Sequence, residues 1–194
     1  MLTTIISTRR TGSSTLFESM NSELPIPKYN PGGNMYGEYF NVDPNKKLLP
    51  DLYKDFIKSV DQLPDKNLVV KIIIWQIEDK MLDGILERSD RIIHSVRKDY
   101  QSQLRSFIIS NKTDLWHKKQ FKTKIIALNQ KVVDDAHKLL TKLLLKHEEI
   151  YRQWGGEVIY LEDRFDSSLM YPKTKIFGKI DWPTFDTESL FREK

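Results

Sequence analysis

Apolar and polar positions along this chain follow two rhythms in alternation. Leu2 to Ser7 is a compact run of isoleucines and threonines bounded by polar residues, and it reads as a short buried strand. Gly12 to Met20 reads as a helix opening on Ser13 and Ser14. Residues 22 to 50 break the pattern with Pro25, Pro27, Pro31, Gly32, Gly33, Gly37 and Pro44. Long loops of this kind inside a domain often carry function. Leu52 to Val60 has amphipathic helix spacing. Leu68 to Trp75 is the clearest buried strand, a β-branched run interrupted by Lys71. Asp79 to Arg88 reads as helix, Arg91 to Val96 as strand, and Asp99 to Ser110 as a helix with Leu104, Phe107 and Ile108 on one side. From Lys124 to Trp154 the apolar residues keep a helical period, from Ala127 through Val132, Val133 and Ala136 to Leu143 and Leu144. Gly155-Gly156 stops that helix, and Glu157 to Leu161 is a fourth strand. The tail after Arg164 has no clear period and is expected to wrap the domain.

Strand and helix thus alternate four times. That order predicts a three-layer α/β fold: a mostly parallel central sheet of about four to five strands with helices on both faces. The 194 residues suit one domain spanning 1–194. In such sheets ligands bind outside the carboxyl ends of the strands.

Composition narrows the chemistry. Hydrophobic residues at 39% and charged residues at 30% describe an ordinary globular chain rather than a disordered one. The absence of cysteine excludes disulfides, thiolate zinc sites and cysteine nucleophiles. No apolar run reaches the roughly 18 residues of a membrane span. Arg9 and Arg10 follow the apolar start at once, with no cleavage-site pattern, so the expected location is the cytoplasm. A net charge of +4 suits an anionic ligand but is too small to imply nucleic acid.

The segment Ser7-Thr8-Arg9-Arg10-Thr11-Gly12-Ser13-Ser14-Thr15 follows the first strand directly. A strand, a tight turn with one glycine and a hydroxyl-rich helix start together form an anion site, because helix N-terminal N–H groups and the helix dipole both favour negative charge. A plain Ser/Thr helix cap would look the same. A Walker-type loop requires G-x-x-x-x-G-K-[ST]. Here no glycine precedes Gly12 in the loop and no lysine follows it.

Arg-Thr-Gly-Ser-Ser-Thr-Leu at 10–16 resembles the 5′-phosphosulfate loop of sulfotransferases that use 3′-phosphoadenosine 5′-phosphosulfate (PAPS). The nearest likeness is to bacterial trehalose-sulfotransferase-like enzymes. Further segments match in order: Gly37-Glu38-Tyr39-Phe40-Asn41, Val69-Val70-Lys71-Ile72, Arg97-Lys98-Asp99 with Gln103 and Ser106, and Tyr160-Leu161-Glu162-Asp163. The resemblance implies a P-loop NTPase-like fold and sulfuryl transfer to a hydroxyl or amine, with a carbohydrate among the candidate acceptors. The other product would be adenosine 3′,5′-bisphosphate (PAP).

It also implies roles. Arg9, Arg10, Thr11, Gly12, Ser13, Ser14 and Thr15 would hold the donor, with Arg10 on the 5′-phosphate and the bridging oxygen. Arg97 and Ser106 would bind the 3′-phosphate, though the spacing also admits Lys98. Glu38 would be the general base, with His94 as the alternative. His117, His137 and His147 lie in charged stretches and are expected at the surface. No metal cluster is apparent, and none is expected. A small-molecule or carbohydrate acceptor, no nucleic acid, no membrane, and an open question of a homodimer complete the expectation. The competing readings are a P-loop nucleotide kinase and a non-catalytic phosphonucleotide binder.

Overall fold

The computed structural model describes residues 1–23, 49–62, 68–113, 125–165 and 175–192. Glu38, Tyr29, Tyr36, Tyr39, Phe40 and His117 lie outside them.

The elements run β1 (Leu2–Ser7), α1 (Ser13–Glu23), α2 (Leu49–Asp61), β2 (Leu68–Ile73), α3 (Asp79–Leu86), β3 (Arg91–Val96), α4 (Tyr100–Thr113), β4 (Ile125–Ala127), α5 (Gln130–Trp154), β5 (Glu157–Tyr160), α6 (Leu161–Arg164), β6 (Lys175–Phe177) and α7 (Thr187–Leu190). Four strands form one parallel sheet in the order β2-β1-β3-β5. This is the expected α/β architecture, a parallel sheet of four strands with helices around it. The chain steps from β1 to one side for β2, then crosses to the other side for β3. The strand order therefore reverses at β1, and the crevice at its carboxyl end is where open parallel sheets bind ligands.

Register decides which side chains meet. Ile6 aligns with Ile72 and His94, so those side chains share one face. That face packs Leu2, Ile6, Val70 and Ile72 against Phe56 of α2, Leu82 and Ile85 of α3, and Ile150 of α5. Ile5 aligns with Lys71 and Ile93 on the opposite face. There Ile5, Ile93 and Ile159 pack against Leu16 and Met20 of α1. Both faces of the sheet are covered, which is why β1 is buried at every position. A third cluster joins α4 and α5 through Leu104, Ile108, Val133, Leu140 and Leu144.

Two expectations need correction. The helical period read from Lys124 onward begins only at Gln130. Asn129 caps α5 by accepting a hydrogen bond from the Val132 N–H at 3.1 Å. Ile125–Ala127 instead forms β4, paired in parallel with β6 in a separate two-stranded sheet. The pairing partner lies 50 residues away, so local periodicity could not reveal it. The tail does wrap the domain: Phe191, just after α7, is buried against His147 and Tyr151 of α5.

His147 is the second correction. It is fully buried, not at the surface. No described helix is long and apolar enough to cross a membrane.

Candidate phosphate-binding site

The turn between β1 and α1 is shaped by two residues with positive φ. Gly12 has φ 78°, and a Cβ there would come within 2.4 Å of the Leu161 side chain. Only glycine fits that approach. Arg10 has φ 65°, a left-handed conformation that is costly for an arginine and persists only when its surroundings hold it.

Those surroundings are visible. Gln103 of α4 donates from Nε2 to the Arg9 carbonyl at 2.8 Å and to Thr8 Oγ1 at 3.0 Å. Arg97 donates from Nη1 to the Arg10 carbonyl at 3.2 Å. Two successive loop carbonyls are thus drawn inward. In trans peptides the N–H opposes the preceding carbonyl, so the N–H groups of Arg10 and Thr11 turn the other way. That is the geometry of an anion nest. Beyond it, α1 opens with Thr15 and Leu16 N–H bonded to the Gly12 carbonyl.

The hydroxyls divide by role. Thr11 and Ser13 are buried and bond inward: Thr11 Oγ1 donates to the Thr8 carbonyl, and Ser13 Oγ accepts from Ser7 Oγ at 3.1 Å. They build the loop. Ser14 and Thr15 remain partly exposed. Ser14 Oγ accepts a 2.7 Å hydrogen bond from Lys71 Nζ. Lys71 is 1% exposed, an ammonium carried on the central sheet and aimed at the start of α1. The loop lysine missing from residues 8–16 is supplied by β2.

Arg10 reaches the other way. Its Nε donates to Ser106 Oγ at 2.8 Å, and Ser106 is buried on α4. Burial and the neighbouring Arg97 pull the Arg10 guanidinium down to about 10, still charged at neutral pH. Arg97 is 2% exposed, and its Nε lies 3.4 Å from Glu162 Oε1. Glu162 also accepts from the Lys98 and Asp99 backbone N–H groups at 3.0 and 3.3 Å, just ahead of α4. Arg10, expected on the 5′-phosphate, is bonded directly to Ser106, which was expected with Arg97 on the 3′-phosphate, and Arg97 meets the Arg10 carbonyl. Arg9 is not part of that group through its side chain. Its guanidinium lies over the half-exposed Trp75 ring at 4.0 Å from the centroid, and only its backbone shapes the loop.

The alternatives resolve by position. Lys98 Nζ is engaged by Asp163 at 2.8 Å and Glu188 at 3.4 Å, on the side of α6 and α7. Those carboxylates hold its ammonium above the usual lysine range. His94 is fully buried on the α5 face of the sheet, opposite Lys71 and α1. Its Nε2 bonds the Gly155 carbonyl at 2.8 Å and its Nδ1 meets His147 Nε2 at 3.1 Å. It is a packed residue, not a base in reach of the loop. The described residues contain no group of carboxylates and imidazoles able to hold a metal ion.

Lys71 is a candidate site residue to which the sequence reading gives no role of its own. Its signal was present: one cation inside an otherwise apolar buried strand requires a buried partner.

No protein-family model matches the chain, and no curated protein sequence matches it. Among solved structures it is similar to deoxyadenosine kinase from M. mycoides with the products dCMP and dCDP, at 12% identity and TM-score 0.35, over 88% of this chain and 94% of that one. The same kinase with bound dATP aligns at 12% identity and TM-score 0.35, over 98% of this chain and 95% of that one. Likeness at this level assigns no chemistry.

Proposed function

We propose that this protein is a sulfotransferase that binds PAPS at the β1–α1 loop. One observation supports this above all: two cationic centres flank one loop, Lys71 with Ser14 on one side and Arg10 with Ser106 on the other. A ligand with two separate anionic groups, a 5′-phosphosulfate and a 3′-phosphate, suits two separate cationic centres. The phosphosulfate lies on the loop N–H groups, Ser14 and Lys71. The 3′-phosphate lies toward Ser106. Arg10 belongs to the loop yet reaches Ser106, so it serves both groups.

In the transfer, the acceptor oxygen attacks sulfur and the bond from sulfur to the bridging oxygen breaks. Charge grows on that oxygen and is met by preorganised cations, which is where such sites gain most of their rate. The acceptor proton passes to a carboxylate, and Glu38 fills that role in this proposal. The acceptor is a hydroxyl, with a carbohydrate as the leading class.

A nucleotide kinase is the second reading: the same Lys71–Ser14 contact supplies the charge that the loop sequence lacks, and it fits either reading. Calorimetry separates the two. PAP is expected to bind in the micromolar range and better than AMP. Equal affinity for PAP and AMP would end the PAPS assignment, and tighter binding of Mg-ATP with phosphoryl transfer would select the kinase. E38Q is expected to keep PAP affinity and lose sulfuryl transfer; normal turnover by E38Q would remove Glu38 as the base.

A further inference from the structure

Arg97 and Glu162 form a chain of contacts that ends on the loop backbone. Glu162 sits just past β5 and is 18% exposed. Its carboxylate meets Arg97 Nε at 3.4 Å and accepts from the two backbone N–H groups that precede α4. Arg97, 2% exposed, places Nη1 on the Arg10 carbonyl. Arg10 is the one described non-glycine residue with positive φ. A strained peptide persists only where its neighbours over-determine it, and the neighbour gripping this carbonyl is Arg97.

We propose that Glu162 and Arg97 are positioning residues: a buried ion-pair strut that holds the Arg9–Gly12 turn in its anion-binding shape, acting on bound phosphate through the Arg10 peptide rather than by touching it. The reason is direction: Arg97 Nη1 is turned to the Arg10 carbonyl and Nε faces Glu162. A hydrogen bond to the Arg10 carbonyl turns the Thr11 N–H the opposite way, toward the nest. The Glu162 charge is what allows a second guanidinium to be buried next to Arg10, since an unpartnered buried charge is strongly disfavoured. The inference rests on reading the loop as a phosphate site, but not on which nucleotide it takes.

Titration of wild type, E162Q and R97K with PAP, AMP and Mg-ATP tests it, alongside thermal unfolding and amide exchange at residues 9–12. A strut that shapes the nest predicts that E162Q and R97K each lose affinity by about tenfold or more for every nucleotide the wild type binds. The factor is the same for PAP and AMP. The double variant loses little beyond the worse single one. Exchange at residues 9–12 speeds up in E162Q without any ligand. Glu162→Gln keeps an acceptor for only one of the two backbone N–H groups, which bond different carboxylate oxygens, so thermal unfolding is read beside affinity to separate loss of fold from loss of the strut.

Loss by R97K confined to PAP, with AMP affinity intact, would make Arg97 a direct 3′-phosphate contact and overturn the strut. Wild-type affinity and unchanged exchange in E162Q would also overturn it. If the wild type prefers Mg-ATP to PAP, the sulfotransferase reading fails while the strut is still judged on ATP. If it binds none of the three nucleotides, both fail.

Discussion

The carboxyl edge of β1 and the α5 face of the sheet both bury ionisable groups, and they do so in opposite ways. At the loop, Lys71 and Arg97 are buried and Arg10 is partly buried, with the Glu162 carboxylate beside Arg97. On the other face His94 and His147 are inside as neutral rings. The Gly155 carbonyl accepts from His94 Nε2, so His94 Nδ1 is the acceptor for His147 Nε2. Burial is the main cause that lowers His94 to about 4, partly opposed by the Gly155 carbonyl. Burial first, and then His94, hold His147 well below its ordinary range. His147 Nδ1 has no hydrogen-bond partner among the described residues. The histidines therefore fill space between α5, β3 and α7, whereas the loop concentrates positive charge where a helix begins.

Substitutions can break that contrast. The largest expected effect is on binding. K71M should lower affinity for the bound nucleotide by about 100-fold, the loss of a charge-assisted contact, while thermal stability holds or rises. A fall in stability with unchanged affinity, measured by calorimetry and melting together, would place Lys71 with the structural histidines instead.

The next effect is on stability alone. Both histidines have folded values below the unfolded value of about 6.5, so the unfolded chain binds more protons and stability rises with pH. The contribution is complete above pH 6.5 and is lost as pH falls toward 4. The loss between pH 7 and pH 5 is on the order of 2 kcal/mol from His94, read from denaturant unfolding at each pH. H94Q should flatten that slope and leave nucleotide affinity intact. A slope unchanged in H94Q would assign the pH dependence to other groups.

The smallest effect on stability sharpens the loop itself. R10G should relieve the left-handed strain and raise stability by about 0.5–1 kcal/mol while losing nucleotide binding. A stability loss in R10G would mean that the Arg10–Ser106 contact outweighs the strain.

Much of this was legible in the chain. The β1–loop–α1 unit, β2, β3 and α4 are short, strongly patterned segments whose residues meet their own neighbours, and their bounds were read within a few residues. Arg10 and Ser106 were placed in one site, and the structure puts them 2.8 Å apart. The α5 boundary was misread because β4 depends on β6, and His147 was misread because its ring partners lie on β3 and after α7.

By itself, then, the sequence determined that a strand feeds a hydroxyl-rich helix start within a parallel sheet. Hydrophobic runs and turn residues act over a few positions, and they suffice for that. Only the tertiary structure decided which buried polar groups face the loop. Lys71 points at Ser14 because Leu68–Ile73 pairs with β1 in the register that aligns Lys71 with Ile5; a one-residue slip would turn that ammonium to the other face. His94 points away by the same alternation.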